Sequence, residues 1–574
     1  MTARFITNEA PQATETVSRI IQIAHNAVNA MLVKPDEAVQ LEAQQMLSYM
    51  VEGAERSAAY QAAEWDGRST FFDFRNNGFP TGFVELVKRR LTKLGYEVKI
   101  VRKPLPAALG PTHPVVDTFA VDPRYEYQPR TVDLLIKHGM MIAQVATGGG
   151  KSRIANLATA RIKRPTLFIT TRSVLMHQMK DAFAAALKVR AENGEPDLRN
   201  AEVGVMGDKE WRPRGYINVA TVQTLAARLR EPNFVISSKK KGKDGKPLSS
   251  EEREALGVAQ YRRMKKRREE TLRLLSLFQF VIAEEAHEAG GDTFFQIMRH
   301  CTRAHYRLAL TATPFMRADA ESNMRLMASC GPIGIRITEK LLIDRGILAT
   351  PSFRTIVTGY APDKDALALY EKPKPGKTRI STVLGNTSSY QRATKLGIDF
   401  NLARNRAIVG ECVRARRYGL PVIVLVNHTV HGKIVLAMLE AAGLNAQFIW
   451  GDDDSAARRA ALLGLAGGML DVVIGSTILD VGVDVPSVGM IILAGGGKAE
   501  VALRQRIGRA LREKKDGRPN RAFIVDFADD FNIHLRRHAM TRRAIVADTP
   551  GFVENQLPVG ADFDFTGFEL QEIA

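Results

Sequence analysis

Residues 145–162 read VATGGGKSRIANLATARI, which sets three glycines, a lysine and a serine between an apolar run and a helical repeat. Chain of this kind turns successive backbone N–H groups toward one point, and the start of the helix adds positive potential there. Thr147, Gly148, Gly149 and Gly150 are therefore expected to cradle phosphates. Lys151 is expected to reach the outer phosphates of ATP, and Ser152 to ligate Mg²⁺. Val145 stands where the simple form of the motif has its first glycine, so the loop is a variant.

A phosphate loop needs an acidic partner for the metal, and FVIAEEAHEAG at 280–290 supplies one. A strand that stops on an acid delivers its carboxylate to the carboxyl edge of a parallel sheet, beside the loop. Glu284 is expected on the metal side, and Glu285 as the base that orients water toward the γ-phosphate. Glu-Glu pairs are common on solvated helices, so the pair has meaning only together with the loop.

Short apolar runs alternate with helical stretches from about Tyr125 onward, the pattern of parallel strands with crossover helices. One set contains MMIAQVAT, TLFIT, INVAT, FVIAEE and RLALTAT; a second contains PVIVLVN, AQFIWG, DVVIGS, GMIILAGG and RAFIVDF. Two α/β lobes follow, joined near RGILATPSF. The second lobe has no phosphate loop, but QRIGRALR places Gln505, Arg509 and Arg512 on one predicted helix. By itself that is a solvated basic helix; opposite a phosphate loop it reads as an arginine finger closing the site.

The rest of the chain is less specific. Residues 1 to about 62 read as helical, and WDGRSTFFDFRNNGFPTGFVELVKRRLTKLGYEVKIV as strand, turn, helix and strand. RKPLPAALGPTHP is a Pro-rich linker. The boundaries expected are 1–120 for an accessory domain, 121–345 and 346–548 for the lobes, and 549–574 for a mobile acidic tail. An insert at 239–273 holds thirteen Lys and Arg against six Asp and Glu, which suits either a solvated face or a nucleic-acid contact. The whole chain carries 81 Lys and Arg against 62 Asp and Glu, a net charge of +19 that favours a polyanionic partner. Cys301, Cys330 and Cys412 are too widely spaced for a zinc site and are expected to be buried thiols. No signal pattern or membrane-length apolar run is visible, so a cytoplasmic protein with no membrane partner is expected.

Taken in order, these residues resemble a superfamily 2 helicase of the DExH type. YEYQPR resembles the adenine-reading segment, with Gln128 as the implied contact; VATGGGKS resembles motif I and EEAH motif II, with His287 implied in coupling. TTRSVLMHQ, with Thr171 and Arg172, and ATVQTL, with Thr221 and Gln223, resemble the strand-contacting segments. LTATP resembles motif III, where Thr311 and Thr313 are implied to couple hydrolysis to lobe movement. In the second lobe VIVLVNHTVHG resembles motif IV and QRIGRALR motif VI. STILDVGVDVPSV resembles motif V, with Thr477 implied at nucleic acid and Gly482 and Asp484 at the nucleotide. LSYMVEGAERSAAYQAAEWDG and GFPTGFVELVKRRLTKLGYEV are similar to the accessory domain of phage helicases related to the T-even recombination helicase.

The resemblance implies two RecA-like parallel-sheet lobes in tandem behind a small N-terminal α+β domain, ATP and Mg²⁺ as cofactors, and duplex or branched DNA as the favoured partner. It implies a monomer working in the cytoplasm, the host's if the chain is phage-encoded. RNA as substrate, or a basic clamp with a defective ATPase, stay open alternatives.

Overall fold

The computed structural model describes residues 20–119, 121–233, 249–285, 291–315, 320–373, 375–376, 379–450, 455–475, 488–497, 507–508, 511–514 and 517–571. Three sheets organise them. The first contains β1 (Ile20–His25), β2 (Asn29–Val33), β5 (Gly78–Pro80) and β6 (Glu97–Val101) in the order β5-β2-β1-β6, beside a ribbon of β3 (Ser48–Met50) and β4 (Arg68–Thr70). The helical expectation for residues 1 to about 62 is therefore corrected at β1 and β2. Ile21 and Ile23 of β1, and Ala30 and Leu32 of β2, are buried while their neighbours are less so. That period of two is a strand signature, and pairing with distant β6 secures it.

The second sheet is built from β7 (Met140–Val145), β8 (Thr166–Thr170), β9 (Val203–Gly207), β10 (Glu210–Arg212), β11 (Ile217–Thr221), β12 (Phe280–Glu284), β13 (Tyr306–Thr311) and β14 (Ile333–Ile337). Its order is β10-β9-β11-β8-β12-β13-β7-β14, parallel throughout except for β10 at one edge. The third sheet is wholly parallel: β15 (Thr350–Ile356), β16 (Val422–Leu425), β17 (Ala446–Ile449), β18 (Val472–Gly475), β19 (Met490–Ile492) and β20 (Arg521–Phe527), in the order β15-β20-β19-β16-β18-β17. Helices cover these sheets, so β8, β11, β12, β13, β16 and β18 are buried at every residue. The fold is thus α/β, two parallel-sheet lobes with a smaller α+β unit in front. Cys301, Cys330 and Cys412 are all buried. No described helix is long and apolar enough to cross a membrane.

The accessory unit is locked to the first lobe. A Cβ on Gly82 would lie 2.0 Å from the Met327 carbonyl oxygen, so only glycine permits this approach. Tyr49 donates to Glu321 at 2.7 Å, and Phe71 meets Phe295 edge-on at 5.7 Å. Phe79 belongs to the apolar core of this unit, and the Trp65 indole donates to the Arg68 carbonyl.

Two peripheral segments differ from expectation or complete it. Residues 239–248 of the insert lie outside the described residues; the rest enters a 28-residue helix, Ser250–Leu277, opened by a Ser249/Glu252 capping box, with only Gly257, Thr271 and Leu275 of the helix buried. The acidic tail expected to be mobile is packed instead. Phe563, Phe565 and Phe568 gather on Phe523 of β20 with centroids at 5.0, 4.7 and 5.5 Å. Asp562 pairs with Arg354 and Arg414, and Asp564 with Arg521. Composition marks this segment as acidic, but its spaced phenylalanines supply the burial that orders it. Phe563→Ala should cost the second lobe about 3–5 kcal/mol, read as earlier denaturant unfolding of that lobe; an unshifted midpoint would show the tail to be dispensable.

Candidate functional site at the carboxyl edge of the first lobe

The phosphate loop leaves β7 and enters the helix Lys151–Ile162. Gly148 and Gly150 adopt φ of +90° and +78°, a region side chains disfavour. Space is equally restrictive. A Cβ would meet Leu348 at 2.6 Å from Gly148, Val145 at 2.6 Å from Gly149, and the Gln128 amide nitrogen at 2.3 Å from Gly150. Gln128 is buried beneath the loop and donates to the Gly149 carbonyl at 3.3 Å, alongside the Tyr127 hydroxyl at 2.9 Å. Arg153 donates to the Gln128 oxygen at 2.7 Å and pairs with Asp117 at 2.6 Å. Gln128, expected at the adenine, thus braces the loop itself. The sequence motifs give no sign of Arg153 or Asp117, because their pairing joins the Pro-rich linker region to the helix.

The sheet order explains how the acids arrive. β13 lies beside β7 and β12 beside β13, all parallel, so their carboxyl ends reach the same edge as the loop. Glu284 closes β12 with 5% of its surface exposed, and one of its carboxylate oxygens has no hydrogen-bond partner among the described residues. Burial raises its pKa to about 7, against the attraction of Lys151 and with the added repulsion of Glu285. Glu285 takes φ of +51°, a strained value for a side-chain-bearing residue, and its carboxylate lies 3.8 Å from the Lys151 ammonium. Lys151 therefore serves both acids. A buried carboxylate with an unmet oxygen beside a phosphate loop is suited to a divalent cation, which would hold it ionised. Ser152, in the first turn of the loop's helix, is the other expected ligand. Thr311 ends β13 and Thr313 follows it, both buried, with the Thr313 amide donating to the Thr311 hydroxyl at 3.2 Å.

Across the cleft the second lobe touches the loop. A Cβ on Gly508 would stand 2.7 Å from that of Thr147, and an Arg512 guanidinium nitrogen lies 4.0 Å from the Cβ position of Gly148. Arg512 bridges to Leu348, the residue that blocks Gly148. Arg124, pairing with both Asp122 and Glu513, adds a second link between the lobes that sequence alone does not suggest. Gln505, Arg509, His287, Thr477, Gly482 and Asp484 lie outside the described residues.

Farther along the same edge, β8 and β11 end side by side, with Thr170 in register with Thr221. Gln223 donates to the Thr171 carbonyl at 2.8 Å, Arg172 precedes the helix Ser173–Glu192, and Thr221 caps the helix Val222–Leu229. These four residues therefore cluster next to β12. The second lobe has a comparable group at its own carboxyl edge. Arg404 and Asp529 form a buried pair at 3.0 Å, and Asp399 accepts from His428 at 2.8 Å, raising the imidazole pKa. Asp399, Arg404 and Asp529 fall outside any recognisable motif.

Two families match the chain in tandem: "Type III restriction enzyme, res subunit" over 123–316 and "Helicase conserved C-terminal domain" over 404–514. "Putative helicase 22" of Sulfolobus islandicus filamentous virus (isolate Iceland/Hveragerdi) is 23% identical over 306 residues, 52% of this chain. The match spans about half of that viral protein, 51% of its length. "ATP-dependent DNA helicase uvsW" of Enterobacteria phage T4 is 19% identical over 513 residues, 87% of this chain and 88% of the relative. The crystal structure of T4 UvsW aligns over 94% of this chain and 98% of its own, at 18% identity and a TM-score of 0.40.

Glu284 also generates a pH signature. Its unfolded-state value is near 4.5 and its folded value about 7, so between them the native state binds more protons than the unfolded one. Stability is then lost as pH rises through that window, on the order of 3 kcal/mol in all. Glu284→Gln should raise the melting temperature of the nucleotide-free protein at pH 8 and change it little at pH 4.5. Equal effects at both pH values would contradict this account.

Proposed function

Because the chain belongs to the superfamily 2 helicases, we propose that it is an ATP-driven motor that moves on or remodels duplex or branched DNA. The observation that carries the reading is the loop with its two acids, met from the other lobe by Gly508 and Arg512. In this reading the loop amides and Lys151 bind the β- and γ-phosphates, and Glu285 accepts the proton of the attacking water. Glu284 and Ser152 would hold Mg²⁺, which when bound neutralises phosphate charge. Arg512, with Arg509 and Gln505 as its expected companions, contacts the nucleotide from the second lobe, so that hydrolysis loosens the lobes from each other. His287, Thr311 and Thr313 relay that change, and Gly482 and Asp484 complete the nucleotide site. Thr171, Arg172, Thr221, Gln223 and Thr477 contact the tracked strand, through its phosphate backbone.

DNA is favoured over RNA by the phage relative, named a DNA helicase, whose alignment runs through most of the chain. Glu284 replaces the aspartate usual in the family with one extra methylene. A metal that keeps most of its waters tolerates that reach, and the charge is conserved.

ATP turnover measured with branched DNA, duplex, single strand and RNA tests the reading. DNA-stimulated turnover is expected, and Lys151→Ala should abolish it with an unchanged melting profile. Stimulation by RNA alone would establish an RNA motor. No turnover with any of the four, restored by Glu284→Asp, would establish a disabled clamp.

A further inference from the structure

At the far end of β7 from the phosphate loop, the accessory sheet and the first lobe enclose a cleft of about 870 Å³. His138 and Met140 at the start of β7, His305 before β13, and Gly331 and Pro332 before β14 form one wall. His25, Asn26, Thr81 and the helix Val84–Lys93 form the other. β7 spans roughly 20 Å of extended chain, so this cleft and the ATP site occupy opposite edges of one sheet.

Its charge is one-sided. Lys88, Arg89, Arg102, Lys103 and Arg299 line it, with Glu85 as the single acid. None of the five cations forms an ion pair or hydrogen bond among the described residues. Burial, joined by the field of Arg102, lowers the pKa of both His25 and His305. An adjoining groove shares Arg102, Lys103 and Arg299 and runs inward to Ser329. That serine is 1% exposed, and its hydroxyl has no partner among the described residues. Beyond these five, Arg268 of the long inserted helix also faces His300, but it is already paired with Glu231 and is not counted among them. The walls are fixed in advance by the Gly82 approach and the Tyr49–Glu321 bond.

We propose that this cleft is a second nucleic-acid site, gripping the phosphate backbone of a duplex arm while the opposite edge holds the tracked strand. The proposal rests on the reading of the chain as a DNA motor. Unpaired cations strung along a rim match a ligand with repeated charges; one small phosphate needs a compact set of donors. A duplex offers one negative charge per ~1.7 Å of axis. Paired cations would have to break an internal bond first, and these do not.

The test is the full chain carrying Lys88→Ala, Arg102→Ala and Lys103→Ala together, compared with wild type for binding forked duplex and a short single strand across a salt series. Fork binding should weaken roughly tenfold, with a log–log salt slope shallower by about 0.9 for each phosphate no longer neutralised. Single-strand affinity and strand-stimulated ATP turnover should stay unchanged. Unaltered fork binding overturns the proposal. So does an equal weakening on both ligands, which would put these cations on the tracked strand, or binding of inorganic tripolyphosphate with no preference for the fork. Should the triple variant melt early, Lys103→Glu, at an exposed position, provides the same comparison. Binding is scored apart from turnover, so a wild-type chain that binds forks without stimulated turnover would overturn the motor reading and still test the cleft.

Discussion

Three successive positions without room for a Cβ govern the geometry of this molecule. Gly148 is blocked by Leu348 from the start of the second lobe, Gly149 by Val145 at the end of its own strand, and Gly150 by Gln128 from beneath. The loop is therefore shaped by both lobes and by the helix ahead of the second sheet. Its backbone donors do not have to be ordered by the ligand, which lowers the entropic cost of binding phosphate. The Arg153–Asp117 pair extends the same bracing by fixing Gln128.

Charge is handled differently at the two carboxyl edges. In the first lobe Glu284 is buried beside Lys151 and Glu285, its pKa is raised, and one of its oxygens has no partner among the described residues. That is a site prepared for a further positive charge. In the second lobe the acids are matched from within: Asp529 by Arg404, Asp526 by Arg542, and Asp399 by His428. Buried pairs of that kind contribute little net stability, but breaking one leaves a costly isolated charge. They hold the ends of β16, β19 and β20 in a set relation.

The fold is legible where local signals are complete. The strands around the phosphate loop, the acid-ending strand and the central strands of the second sheet all announce themselves as short apolar runs between helices. β10, β14 and β15 do not, because edge strands carrying polar residues lack that signature, and the two glycines of β9 interrupt its apolar run. β15 lies in the very stretch, RGILATPSF, that reads as a joint. β1 and β2 read as helix in sequence because Ile20, Ile21 and Ile23 suit either period, and only β6, some seventy residues later, decides between them. Site residues with a fixed spacing, such as Gly148, Lys151 and Glu284, can be read directly. Arg153, Asp117, Arg124 and Glu513 cannot, because long-range pairing leaves no local pattern.

The packed tail has a consequence for biosynthesis. β20 is the penultimate strand of its sheet, inserted between β15 and β19, and the face of Phe523 is closed by residues 563–568. While the chain is being made, β15 waits for a partner about 170 residues away, its edge unpaired, until residues 521–527 emerge. The first lobe has all its strands by residue 337 and can fold long before then. The second lobe stays an open sheet with an uncovered aromatic face until residues 563–568 are synthesised. Nascent chains stalled between residues 530 and 560 would thus carry a finished nucleotide-binding half and a sticky, unfinished one.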